Sequence, residues 1–507
     1  MAQDEALTPL RVLRTNIAAV QALVETVAGT LGPEGLDILL VDEAGRMVLT
    51  NDGIEILRQT DFQHPAARLA IEALKTLEQK VGDGTTTATV LTGALLGEAL
   101  KALEQGVPVN PLLKGIQRGV DRAIAHIRTI AQPVLVGDEA LYRATLVAAR
   151  GDAGLAQLVW QAAQHIGSER LLHQDLNLGD WVMGQVGAES QLIAGVVVSK
   201  RPLNLPPADW QAQGAVLVLS DGLEPDGIEA QSLGTEAGFS RYLEVQAQFR
   251  QALDTLRDLG VRLVVTEKAM APLAEAFLEE HDILALTRVL TRDRERIALL
   301  SGARSARPAL LARPRTEIQS YLGTAKIHYQ RATARVILQA GAGEPQATIL
   351  VGALSEGVVA EQERIAVDAC GALQAALRSG VVTGGGVAEF SCQAVLQPLL
   401  DETEDLSRYG IACVQSALAR PLEQILRNSG WPPLEKLSLL EATRRRTGND
   451  HLGLNCETGQ VADLAQLGIL DPADVKVFAL SVAGEVALRV LRIQTIIRRR
   501  PDFNADL

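Results

Sequence analysis

The run Gly82-Asp83-Gly84-Thr85-Thr86-Thr87 carries the strongest chemical signal in the sequence. Two glycines let a backbone approach a ligand closely, and a helix starting after Gly84 turns unpaired N–H groups toward an anion. Three consecutive hydroxyls add donors for phosphate oxygens, and Asp83 can hold a hard cation such as Mg²⁺ against them. Asp and Thr are also ordinary capping residues, so GDG alone leaves a plain helix start open. Three threonines in a row exceed what a cap needs and favour phosphate. Thr30-Leu31-Gly32-Pro33 and Gly384-Gly385-Gly386 are further glycine turns able to serve the same phosphates, each weak by itself.

Two carboxylates stand out from the rest. Asp52, in Asn51-Asp52-Gly53, sits at a predicted strand end, where an Asp faces a ligand or, more often, closes a turn. Asp368 lies beside the apolar helical positions Ile365, Ala369 and Leu373, an uncommon place for a carboxylate without a partner or a task. Other chemistries are excluded by what is missing. No G-x-x-x-x-G-K-[ST] run exists, which removes a P-loop, and no strand before Gly384 opens a dinucleotide fingerprint. The seven histidines form no HExxH or close pair, so a zinc site is not expected.

The elements that must position these residues fall into two textures. A helix carrying Ile17, Val20, Val24, Val27 and Leu31 is stopped by Gly32-Pro33. Ile38 to Val41 and Met47 to Thr50, separated by Asp42-Glu43-Ala44-Gly45, read as a hairpin. A second helix starts near Pro65 with Leu69, Ala73, Leu77 and Val81, and a third begins directly after Gly84. From about residue 190 the chain alternates short strands with helices: strands over Ile193–Val198, Ala215–Leu219, Val261–Thr266, Ile283–Leu286 and Ile297–Leu299, and a helix from Tyr242 to Leu259. RPLNLPPADW is too rich in proline for regular helix. After Arg378 the helical texture returns. An α/β module inserted into a discontinuous helical domain explains this, and so do three sequential domains.

Composition bounds the function. The chain has 507 residues with 48 Lys+Arg against 61 Asp+Glu, a net charge of -13 that disfavours bulk nucleic acid or an anionic membrane as the main partner. Aromatic residues make up 3%, too few for a surface that stacks single-stranded bases. Four cysteines without CxxC spacing predict a reduced, cytoplasmic protein. MAQDEALTPL lacks a signal-peptide pattern, and no apolar stretch approaches 18 residues, so neither a signal peptide nor a membrane span is expected.

With these residues in view, the chain resembles the chaperonins, more closely the thermosome/CCT-like branch than the GroEL-like one. TLGPEGLDILLV at 30–41, TNDGIEIL at 50–57, HPAARLAIEALKT at 64–76 and VGDGTTTATVL at 81–91 resemble that family's ATP-site motifs in their usual order. VVTGGGVAEF at 381–390, LGLNCETGQVADLAQLGILDP at 452–472 and LRIQTIIRRR at 491–500 resemble its closing segments. The resemblance spans nearly the whole chain. It implies a multidomain, α/β plus all-α chaperonin fold: a helical equatorial domain at 1–132 and 379–507, a small intermediate domain at 133–198 and 346–378, and an α/β apical domain at 199–345.

Carried over residue by residue, the resemblance implies that Thr30, Leu31, Gly32 and Pro33 line the nucleotide, that Asp83 binds Mg²⁺ and that Gly84, Thr85, Thr86 and Thr87 bind phosphates. Gly385 and Asp471 would contact the nucleoside, with Asn455 and Cys456 near the adenine, and Asp52 and Asp368 would polarise the attacking water. Where archaeal-type members carry a γ-phosphate-sensing Lys, this chain has Arg150, a planar fork in place of a point charge. The implied function is Mg²⁺-dependent ATP hydrolysis, with a structural K⁺, coupled to folding of non-native polypeptides. The implied assembly is a homo-oligomeric double ring of about eight subunits each, closed by a built-in apical lid at about 223–249 without a separate co-chaperonin. A ring scaffold that has lost catalysis is the alternative from another class, and retention of Asp52, Asp83 and Asp368 argues against it.

Overall fold

A computed structural model describes residues 9–41, 45, 47–173, 175–204, 206–225 and 236–497. The chain divides into two compact units. The first combines Met1–Trp160, Ser168–Glu189 and Val351–Leu507, and the second combines Gln161–Gly167 with Ser190–Leu350. Among the described residues no helix is long and apolar enough to cross a membrane.

Helices dominate the first unit. Pro9–Val27 buries Leu13, Ile17, Val20, Leu23 and Val27, a spacing of three and four that makes one continuous stripe. Leu23 takes the place expected for Val24, which is half-buried, and Leu31 is half-buried beyond the 3-10 turn Ala28–Thr30 into which the helix tightens. The strands Ile38–Val41 and Met47–Thr50 pair antiparallel, with Ile38 opposite Thr50, as the sequence predicts. In Pro65–Val81 the buried face runs through Ala66, Ala67, Ala70, Ile71 and Leu74, one step round from the expected Leu69 and Ala73, which are half-buried. Thr85–Glu104 is buried over most of its circumference, and Val109–Ile130, Glu356–Ser379, Val387–Asp401, Ser407–Ala417 and Ala473–Leu491 complete the helical core. Both chain ends contribute to that single core: Ile17, Leu91 and Ile116 share it with Leu396, Ile411 and Val486.

The second unit is built on a six-stranded mixed sheet. Its order is Val196–Val198, Arg335–Gln339, Gly323–Gln330, Trp210–Leu219, Val261–Thr266 and Leu284–Leu286. Trp210–Leu219 is parallel to Val261–Thr266 and antiparallel to Gly323–Gln330. Leu217 and Leu219 enter one apolar cluster and Val216 and Val218 the other, so the two-residue period buries both faces.

Three sequence expectations change here. The expected strand Ile193–Val198 is two strands, Gln191–Ile193 and Val196–Val198, broken at Gly195, where any Cβ would lie 2.1 Å from the Leu338 carbonyl oxygen. Ile297–Leu299, expected as a strand, lies inside the helix Thr291–Ser301. Its buried residues Arg294, Ile297, Leu300 and Ser301 recur at helical spacing, Arg296 is buried beside them, and Arg292 and Glu295 face outward. The helix expected over Tyr242–Leu259 extends further toward the N-terminus, as Glu236–Asp258. Residues 226–235 of the expected lid segment lie outside the described residues.

Candidate nucleotide site

The GDGTTT run sits where the sequence puts it, between the helices Pro65–Val81 and Thr85–Glu104. Gly84 is the N-cap of the second helix in a left-handed conformation (φ 87°), and no side chain caps the turn. A Cβ at Gly84 would also stand 2.7 Å from Val475, so glycine is required there twice over. The first turn of this 20-residue helix, with Thr85, Thr86 and Thr87, borders open space.

That space is a cavity of about 650 Å³, of a size suited to a nucleotide. Its walls come from segments far apart in the chain: Thr30 to Pro33, Asp52, the GDGTTT run, Arg150, Asp368, Gly385 and Asp471. The structure thus brings together all but two of the residues singled out from sequence. Asn455 and Cys456 do not line the cavity. The Asn455 side chain closes its own turn by accepting from the Glu457 and Thr458 N–H groups at 2.9 and 3.1 Å, and the Cys456 carbonyl accepts from the Trp431 indole at 2.7 Å.

Asp83 accepts from the Gly84 N–H, and its exposed side chain opens onto the cavity. Desolvation by the surrounding cavity walls raises its carboxyl above the ordinary range, an effect its exposure weakens; the Gly84 hydrogen bond and Lys476 oppose the rise, while Asp471 and Asp52 add to it. A carboxylate in this setting favours a nearby cation. Among the described residues no group of three His, Cys, Asp or Glu side chains is placed to cage a metal.

Asp52 is both of the things its sequence context allowed. Its Oδ1 caps the helix Gly53–Gln59 by accepting from the Ile54 N–H at 3.1 Å, while its Oδ2 pairs with Arg364 at 3.2 Å. Asp368, on Glu356–Ser379, meets the same Arg364 Nη1 at 3.4 Å. Arg150 adopts φ 55° in the turn after Glu139–Ala148 and pairs with Glu361 Oε1 at 2.8 Å, so its guanidinium is already engaged at the cavity edge.

Sequence reading missed Arg364, Glu361 and Lys476. The first two lie four and seven residues before Asp368, on one helix face, a spacing visible in the sequence. Lys476 is buried within Ala473–Leu491 and bonds Asp471 at 2.7 Å and Glu389 at 3.1 Å. Burial alone would depress its ammonium, but the two carboxylates outweigh burial and raise it. A lysine one residue from Val475 and Val477 was its only local signal. Asn428 is a further omission: its amide donates to the Ala28 and Leu31 carbonyls, both at 2.8 Å, and holds the turn that carries Thr30 to Pro33.

The sequence profile of the TCP-1/cpn60 chaperonin family matches residues 23–501. The thermosome subunit of Pyrococcus abyssi (strain GE5 / Orsay) is 30% identical over 503 residues, covering 96% of this chain and 90% of the relative. The thermosome subunit of Methanocaldococcus jannaschii is 31% identical over 501 residues, covering 96% and 92%. A crystal structure of a group III chaperonin in the open state superposes with a TM-score of 0.87 at 39% identity, over 97% of this chain and 100% of that one.

Proposed function

Because the chain belongs to the TCP-1/cpn60 chaperonin family, we propose that it hydrolyses ATP at the cavity of Asp52, Asp83 and Asp368 and uses the cycle to fold non-native polypeptides. The observation that carries this reading is convergence. Three carboxylates separated by up to 316 positions, 368 minus 52, meet around one helix N-terminus that no side chain caps.

In this reading the N–H groups after Gly84 and the hydroxyls of Thr85, Thr86 and Thr87 bind the phosphates. Thr30 to Pro33, Gly385 and Asp471 hold the nucleoside end, with Lys476 fixing the Asp471 carboxylate. Asp83 is the residue that would hold Mg²⁺, whose role when bound is to neutralise charge on the phosphate oxygens. Asp52 and Asp368 orient the attacking water and accept its proton, a general-base role. Arg150, tied to Glu361, senses the terminal phosphate from the cavity edge. A structural K⁺ belongs to the same proposal.

The coarser architecture follows the same reading: equatorial, intermediate and apical domains with the boundaries given above, and a cytoplasmic homo-oligomer of two rings of about eight subunits, closed without a separate lid protein. The testing experiment is steady-state ATP hydrolysis with and without Mg²⁺, alongside light scattering. No hydrolysis, or a stable monomer in ATP, would sink the reading.

A further inference from the structure

Arg364 does not line the cavity, although Asp52 and Asp368 do; it stands behind them. Its guanidinium is one-fifth exposed, and its five N–H donors have five acceptors in reach. Nε reaches Glu361 Oε2 at 3.2 Å, and Nη2 reaches Glu361 Oε1 at 2.6 Å and Asn51 Oδ1 at 3.5 Å. Nη1 reaches Asp52 Oδ2 at 3.2 Å and Asp368 Oδ2 at 3.4 Å. A planar fork suits this arrangement and an ammonium does not, because three donors on one point cannot face acceptors on three sides. Glu361 also accepts from Arg150, so the cluster holds two cations against three carboxylates.

A pair of helix-surface ion pairs would need only Glu361 and Asp368, which lie three residues before and four after Arg364. Asp52 and Asn51 lie more than 300 positions upstream, on another element, and the same guanidinium reaches both. Two carboxylates aimed at one cavity repel each other, and a cation touching an oxygen of each offsets that repulsion while fixing where the remaining oxygens point. Burial alone would depress the Arg364 guanidinium, but Glu361, Asp368 and Asp52 together raise it, so its charge persists throughout the working pH range.

We propose that Arg364 is a positioning residue for hydrolysis, holding Asp52 and Asp368 as one aligned pair behind the cavity wall. This rests on the ATP reading above. Arg364→Ala should lower kcat on the order of 10²-fold, the scale of a misplacement of about 1 Å. Affinity for a non-hydrolysable ATP analogue with Mg²⁺ should stay within about threefold, since the guanidinium lies outside the cavity. Arg364→Lys restores charge without the fork and should remain about tenfold below wild type.

A second readout needs no turnover. In nucleotide-free protein the clamp steadies the cap that receives the Ile54 N–H, so amide hydrogen exchange at Ile54 and Ile56 should quicken in Arg364→Ala. Wild-type kcat in either variant would overturn the proposal, as would kcat and analogue affinity falling together or unchanged exchange at Ile54. If Arg364→Ala does not assemble, Arg364→Lys carries the same kcat and exchange measurements. Absence of hydrolysis by the wild-type protein would instead defeat the ATP reading, and the exchange arm would still decide the clamp.

Discussion

The cavity is flanked by two ion clusters built on different terms. Lys476 and Glu389 are buried, with side-chain exposures of 8% and 0%, and Asp471 joins them at the cavity edge with 17%. Arg364 with Asp52, Asp368, Glu361 and Arg150 keeps between 17% and 32% of each side chain exposed. Buried charges of the first kind cannot separate without leaving an uncompensated ion in a poor solvent for it. Partly wetted pairs of the second kind can be broken one at a time without stranding an ion away from water. One flank of the site is therefore fixed and the other adjustable, and the groups assigned to chemistry sit on the adjustable flank.

The largest expected effect lies on that adjustable side. Asp368→Ala should reduce ATP turnover by on the order of 10²–10⁴-fold, while nucleotide affinity stays within about tenfold, because in the proposed reading the residue acts on water. Steady-state and titration measurements decide it, and wild-type turnover would erase the functional contrast between the flanks. On the fixed side, Lys476→Met strands Glu389 and Asp471 and should cost about 3–5 kcal/mol of stability. A urea midpoint indistinguishable from wild type would show that the buried cluster is not the rigid partner.

Between them stands Asp83, exposed to the cavity, whose proton affinity is raised by partial desolvation against its walls. A folded pKa above the unfolded one means that ionising Asp83 costs stability as pH rises through its folded pKa. Asp83→Asn should therefore leave the empty protein at least as heat-stable as wild type near neutral pH, yet weaken Mg²⁺-nucleotide binding about tenfold or more. In the wild type, Mg²⁺-dependent affinity should decline as pH falls through the same raised value, since the proton competes with the metal. Calorimetric titration across pH tests this, and a flat profile would break it. The smallest effect belongs to the outer pair: a double-mutant cycle on Arg150→Ala and Glu361→Ala should return a coupling of only about 0.2–1 kcal/mol in stability. A coupling several times larger would move that pair to the fixed class.

Legibility in the sequence followed the range of the interaction. The hairpin Ile38–Val41 with Met47–Thr50, the helix after Gly84 and the odd Asp368 were readable because each is announced within about one turn or one strand. Most of the cavity wall became readable only through several motifs in their order, since nothing local says that Thr30 and Asp471 meet. Arg364 was passed over because its decisive partner, Asp52, is 312 positions away, 364 minus 52. Ile297–Leu299 misled for the opposite reason: three apolar residues satisfy a strand and a helix alike, and the neighbouring arginines decide only once a packed face exists.

The cavity's dependence on both chain ends also sets a clock on biosynthesis. Its phosphate wall is complete at Thr87, but Asp368, Asp471 and Lys476 emerge much later. At roughly 5–20 residues per second, the 389 positions from 87 to 476 take roughly 20–80 s to appear. Through that interval Leu91, Leu95 and Leu96 wait for Ala479, Leu480 and Ala483, the later members of their core. A nascent chain therefore carries an open apolar surface, and an incomplete cavity, until the segment around Lys476 has been made.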